Sequence, residues 1–174
     1  MSVFRSLIEE HRMLRALAGR LGRALEDPDE RFACREARNI LLLLLRALES
    51  HQQFEDRVFT EPLASGGEDR RRALSVLARE HREIANLRAE TTSLLQLVPA
   101  ASLMVLRPQA LSLADAMGKH FDREERELWP RLNAVESRSV RAHADHEAAA
   151  QVKEMRRELD GYWTAVTEYL ASDS

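Results

Sequence analysis

His11, His51, Glu55, His81, His120 and Glu124 are the side chains whose types and spacing could do chemistry. Residues 10–17 read EHRMLRAL and residues 80–87 read EHREIANL, while 51–57 read HQQFEDR and 120–126 read HFDREER. His11 and His81 are 70 residues apart, and the pairs His51/His120 and Glu55/Glu124 are each 69 apart. The chain therefore reads as a duplicated hairpin, each copy offering two imidazoles and one carboxylate. In each His-x-x-x-Glu pair the two side chains share one helix face, so both can reach a single point. Four imidazoles and two carboxylates at one level suit a two-metal site, and iron takes both donor types readily. Each ion would have two histidines, with Glu55 and Glu124 bridging and room left for an oxo or hydroxo group and an exchangeable position. Manganese and zinc are less fitting alternatives, zinc being redox-silent. Without metal the same glutamates would be costly in a core, since a buried carboxylate needs a partner, a proton or an ion.

Positioning these groups requires long helices, and the sequence supplies them. The first is expected from Ser2 as N-cap to about Asp27, with Val3, Leu7, Leu14, Leu17, Leu21 and Leu25 at helical spacing. A second runs from about Asp29 to Phe59, and its five-leucine run suggests contact with more than one neighbour. Pro62 and Ser65–Gly67 mark a turn, and a third helix follows over Glu68 to Leu97. The fourth begins near Ala100 or Pro108 and stops at Trp129, with Pro108 either in its first turn or kinking it. Ser137 to Leu170 reads as a fifth helix whose apolar stripe must cover the bundle or pair with a second copy in a homodimer. The expected architecture is thus all-α: an antiparallel up-down four-helix bundle over residues 1–135 and an additional C-terminal helix over 136–174.

Composition narrows the function classes. Apolar residues make up 44% and charged residues 32% of the 174, a balance suited to one globular domain with its own core. A formal charge of -3, with both signs interspersed, argues against a nucleic-acid partner. Cys34 is the sole cysteine, which excludes an internal disulfide or a cysteine-rich cluster within one chain and suits a buried small hydrophobe. The N-terminal stretch lacks a signal-peptide core, and Ile40–Leu45 is too short to span a bilayer, so a cytoplasmic, membrane-free protein is expected. Glu10 and Glu80 read as solvated or ion-pair residues, Glu125 as exposed, with accepting a hydrogen bond behind a ligand as its alternative, and His143 and His146 as exposed histidines.

The six-residue pattern, together with Phe59…Pro62-Leu63 and Leu128-Trp129-Pro130…Leu132 after each glutamate, resembles the hemerythrin-like domains, the HHE cation-binding family, over about residues 5 to 132. That resemblance implies a four-helix bundle with a di-iron centre held by His11, His51, Glu55, His81, His120 and Glu124. Oxygen carriers of the family have a further histidine where this chain has Ala85, and an aspartate where it has Glu125. The ligand pattern is more similar to di-iron proteins of nitrosative stress and iron–sulfur cluster repair. The expected function is binding, sensing or reaction with a small oxidant such as oxygen, nitric oxide or peroxide, in a stress response. Reversible oxygen binding, iron-dependent regulation of an interaction and iron donation for cluster repair are the alternatives.

Overall fold

In a computed structural model of the chain, residues 3–26, 30–64, 67–97 and 105–130 are described, together with positions 150, 153, 154, 157 and 161. Four long helices and no strand occur among them: α1 (Val3–Ala24), α2 (Glu30–Ala64), α3 (Glu68–Leu97) and α4 (Arg107–Arg123). A single π-helical turn, Glu124–Leu128, continues α4 and leads into Trp129 and Pro130. Each helix packs on its two ring neighbours, α1 on α2 and α4, and α3 on α2 and α4.

The helix directions follow from paired residues. Going up α1 from His11 to Arg20, the partners on α2 descend from His51 to Glu36. From His81 to Leu95 on α3 they descend from Asp56 to Arg38, and from Arg15 to Glu26 on the α1 side they descend from Asp122 to Arg107. All three pairings are antiparallel, so the all-α up-down bundle expected from the sequence is what the chain forms.

The core is split in two. Leu14, Leu17, Leu21, Ile40, Leu41, Leu44, Leu48, Ile84, Leu113, Met117 and Phe121 belong to the larger apolar cluster, where Cys34 is a buried free thiol. Phe4, Leu7, Phe54, Phe59, Leu77, Leu128 and Trp129 form the smaller one. Along α1, α2 and α3 the transition from one cluster to the other falls at the histidines, Leu7 to Leu14 across His11, Leu48 to Phe54 across His51 and Leu77 to Ile84 across His81, and on the fourth helix it falls across Glu124, from Phe121 to Leu128. Apolar side chains thus clamp a polar layer from both sides, which fixes its depth in the bundle.

Helix ends differ from the sequence reading where local rules compete. α2 runs through Pro62 to Ala64 rather than stopping near Phe59; a proline in the last turn removes one ladder bond, at a place where bonding is already incomplete. Pro108 lies in the first turn of α4, which starts at Arg107, so it starts the helix rather than kinking it. The expected fifth helix, with His143 and His146, lies outside the described residues apart from five helical positions between 150 and 161. No helix among the described residues is long and apolar enough to cross a membrane.

Candidate metal centre

Each helix delivers its functional side chains by simple periodicity. His51 and Glu55 on α2, and His120 with Glu124 at the α4–π junction, are four residues apart and therefore lie on one face. His11 on α1 and His81 on α3 meet them at the same level. All six sequence-identified residues are buried: His11, His51 and Glu55 completely, and His81, Glu124 and His120 almost so.

Two groups of donor atoms result, His11/His51/Glu55/Glu124 and His81/His120/Glu55/Glu124. Within each, the candidate ligand atoms lie within 4.8 Å of one another. The groups share both carboxylates. Glu55 Oε2 is 3.4 Å from the Nε2 atoms of His51 and His81 and 3.8 Å from that of His120, while Glu55 Oε1 is 4.0 Å from His11 Nε2. Glu124 reaches one histidine of each group with a different oxygen, His11 through Oε2 at 3.4 Å and His120 through Oε1 at 3.5 Å.

Each of these four histidines is anchored from behind by a carboxylate on a neighbouring helix. Nδ1 of His11 donates to Glu125 (2.8 Å), His51 to Glu10 (2.7 Å), His81 to Asp56 (2.9 Å) and His120 to Glu80 (3.1 Å). An acceptor at Nδ1 fixes the tautomer and turns the Nε2 lone pair inward. These anchors obey the duplication too: Glu10 and Glu80 precede the α1 and α3 histidines, and Asp56 and Glu125 follow the two buried glutamates. Glu10 and Glu80 are therefore ion-pair residues rather than solvated ones, and Glu125 is partly buried against His11 and Arg15 rather than exposed. Asp56 escaped the sequence reading, although the 69-residue offset from Glu125 would have found it.

The electrostatics of the layer call for a cation. His11 Nε2 and His51 Nε2 face each other at 3.0 Å, as do those of His81 and His120 at 3.1 Å. With both Nδ1 atoms protonated, two inward lone pairs at that distance repel unless a proton or a metal ion sits between them. Protonation in the absence of metal is divided accordingly. Burial holds His11 down to about 4 and lowers His120. At His51 burial is outweighed by Glu55 and Glu10, and at His81 by Asp56 and Glu55, which raise His81 to about 9. One member of each pair thus keeps a proton for the other. Burial, with Glu55 nearby, pushes Glu124 well above the usual carboxylate range, whereas the surrounding histidines overcome burial and hold Glu55 well below it. Both oxygens of Glu55 and both of Glu124 are buried without a hydrogen-bond partner. Four orphaned carboxylate oxygens would cost several kcal/mol in a purely structural layer. The donor set fits metal ions: nitrogens held at about 2.1 Å from one ion and roughly at right angles are separated by about 3 Å.

Aromatic residues enclose the His11 side. Phe121 stacks on His11 with centroids 3.8 Å apart and meets His51 edge-on at 5.2 Å, and Trp129 stacks on His11 at 4.8 Å. Gln52, at the position matching Phe121, turns its amide to the His81 carbonyl at 3.5 Å. Ala85 contributes no donor and lines a cavity beside His81.

The profile of the Hemerythrin HHE cation binding domain matches residues 2–104, well over half of the chain. No curated protein and no solved structure matches it. The matched stretch carries α1, α2 and α3 with His11, His51, Glu55 and His81, and α4 returns His120 and Glu124 to the same layer. On that match, and on a four-helix bundle whose buried His/Glu clusters form a metal-binding layer suited to iron, the chain belongs to the hemerythrin HHE cation-binding domain family.

Proposed function

We propose that the chain is a non-haem di-iron protein that binds, senses or reacts with a small oxidant, dioxygen, nitric oxide or peroxide, as part of an oxidative or nitrosative stress response. The observation that carries this reading is the pair of donor groups sharing Glu55 and Glu124, whose four oxygens are buried without a hydrogen-bond partner. His11 and His51 would hold one iron, His81 and His120 the other, and both glutamates would bridge, with an oxo or hydroxo group between the ions. When bound, such an iron pair supplies open coordination positions and two exchangeable electrons to a small ligand.

The chain's own residues do the rest. Glu10, Asp56, Glu80 and Glu125 lock the imidazoles with Nε2 inward, so the donors need no rearrangement on loading. Phe121, Trp129 and the two apolar clusters keep bulk water from the layer. Only small molecules fit such an interior, which favours a diatomic or peroxide ligand over an organic substrate. Ala85 leaves the His81 side without a fifth imidazole, which weighs against a pure carrier.

The test is to expose anaerobically reduced, iron-loaded protein in turn to dioxygen, nitric oxide and hydrogen peroxide while following the visible spectrum. Oxidation or nitrosyl formation at stoichiometric reagent supports the reading. An oxygenated spectrum that reverses fully on deoxygenation would replace it with oxygen carriage, and inertness to all three would remove it.

A further inference from the structure

The duplication allows the two halves of the bundle to be compared residue by residue, and they differ beside the shared carboxylates. A cavity of about 230 Å³ lies between the first half of α3 and the π-helical turn, lined by Val76, Leu77, Glu80, Arg123, Glu124 and Leu128 among others. It touches Glu124 itself. The corresponding place in the first half is occupied by Ser6, Leu7, Glu10, Phe54, Glu55 and Phe59, found by the same offsets of 70 and 69. All six of those are buried. The exchange that opens the space is Phe54 for Arg123 and Phe59 for Leu128: two rings that are completely buried against one leucine and a guanidinium that is 42% exposed. The π-helical turn adds to it, because its wider backbone carries Glu124, Glu127 and Leu128 along one wall. In α2 the equivalent segment stays α-helical.

We infer that this cavity is the route by which a small uncharged ligand reaches the centre, and that it delivers the ligand to the His81/His120 half, with Arg123 at its mouth. The inference rests on the di-iron reading above and adds to it the path and the receiving side. The His11/His51 half is sealed by Phe121 and Trp129 on one flank and by Phe54 and Phe59 at the place matching the cavity. The mouth holds cationic and anionic groups side by side: Arg123 is paired with Glu80, which in turn holds His120, and Asp69, Arg72 and Glu127 also line it. Such a mouth offers no net attraction to an anion, whereas Val76, Leu77 and Leu128 give an apolar passage suited to neutral gases and peroxide. A second cavity, of about 350 Å³, meets His81 together with Asp56, the anchor of its Nδ1. Its lining includes neither Glu55 nor Glu124.

Val76→Trp, which fills the passage without replacing any of the six candidate ligands, is the variant to make, with Ala78→Trp, in the lining of the second cavity, as its counterpart. In iron-loaded, reduced full-length protein, nitric oxide association followed by stopped-flow absorbance should slow by about tenfold or more in Val76→Trp and stay unchanged in Ala78→Trp. Arg123→Ala, which clears the mouth, should speed it by about twofold, so the route can be judged even if the tryptophan variant does not fold. In metal-free protein, dissolved dioxygen should broaden the Leu77 and Leu128 methyl signals more than those of Leu14 and Leu44, and Val76→Trp should remove the difference. An unchanged association rate in Val76→Trp at full iron content, or slowing by Ala78→Trp instead, overturns the route while leaving the centre standing. Native protein that takes up iron but reacts with none of nitric oxide, dioxygen and peroxide overturns the parent reading and the route with it.

Discussion

Removing the carboxylate behind one histidine separates an orienting role from a merely structural one, and Glu10 is the sharpest place to do so. Its Oε2 accepts from His51 Nδ1 at 2.7 Å, and both side chains are completely buried. In Glu10→Ala no water at the surface can take over that acceptor, so the imidazole loses its fixed tautomer and orientation. Loss of such an anchor lowers metal affinity by about 10–100-fold, equivalent to about 1.4–2.8 kcal/mol. Asp56, which plays the same part for His81, is 58% exposed, so in Asp56→Ala water reaches Nδ1 and the loss should stay below about tenfold. The assay is anaerobic ferrous titration against a chelator of known affinity, with helicity checked in parallel. Equal affinities for Glu10→Ala, Asp56→Ala and the native chain would refute the orienting role. A larger loss for the exposed Asp56 would refute the burial argument used to scale it.

Glu55→Ala should abolish binding of both ions, because Glu55 borders all four histidines, whereas His81→Ala should leave at most one iron per chain; metal analysis of desalted protein decides, and full occupancy in either variant contradicts the ligand assignment. Metal affinity should rise with pH up to about 9, since His81, raised to about 9, and Glu124, raised well above the carboxylate range, must lose their protons to ligate; calorimetry in buffers of different ionisation heat should record proton release at pH 7, and none released would contradict this. The same shift has a stability sign in the metal-free protein: the His81 contribution is complete below about 6.5 and fades as pH rises through about 9, so its melting temperature should fall over that window. Leu44→Ala, in the larger apolar cluster and fully buried, should cost about 2–5 kcal/mol of stability in denaturant titrations yet keep its iron stoichiometry, and loss of metal there would mean that the layer depends on the whole core rather than on its own ligands.

The meeting of six buried His and Glu side chains in one layer was legible in the sequence because the duplication repeats them at fixed offsets, so each histidine vouches for another. The bundle was legible because leucines at helical spacing and scarce breakers leave little else for the chain to form. The anchors were half legible: Glu10, Glu80 and Glu125 stood next to donors, but adjacency on a helix points a side chain about 100° away, and only the neighbouring helix shows whether it meets water or an imidazole. Asp56 looked like any surface aspartate, because its partner is 25 residues distant on α3. The π-helical turn has no residue signature at all in EEREL; what betrays it is the Trp129 amide bonding back to Glu124. Pro62 misled for the opposite reason, a strong local rule giving way where a helix was about to end.

Metal identity and stoichiometry, measured with the absorption spectrum on protein produced with ample iron and purified without chelators, test the central claim most directly. Two irons per chain with oxo-bridge absorption is the expected result. Folded, helical protein that carries no metal and fails to take up iron on anaerobic reconstitution would contradict it, leaving Glu55 and Glu124 as carboxylates buried for some other reason.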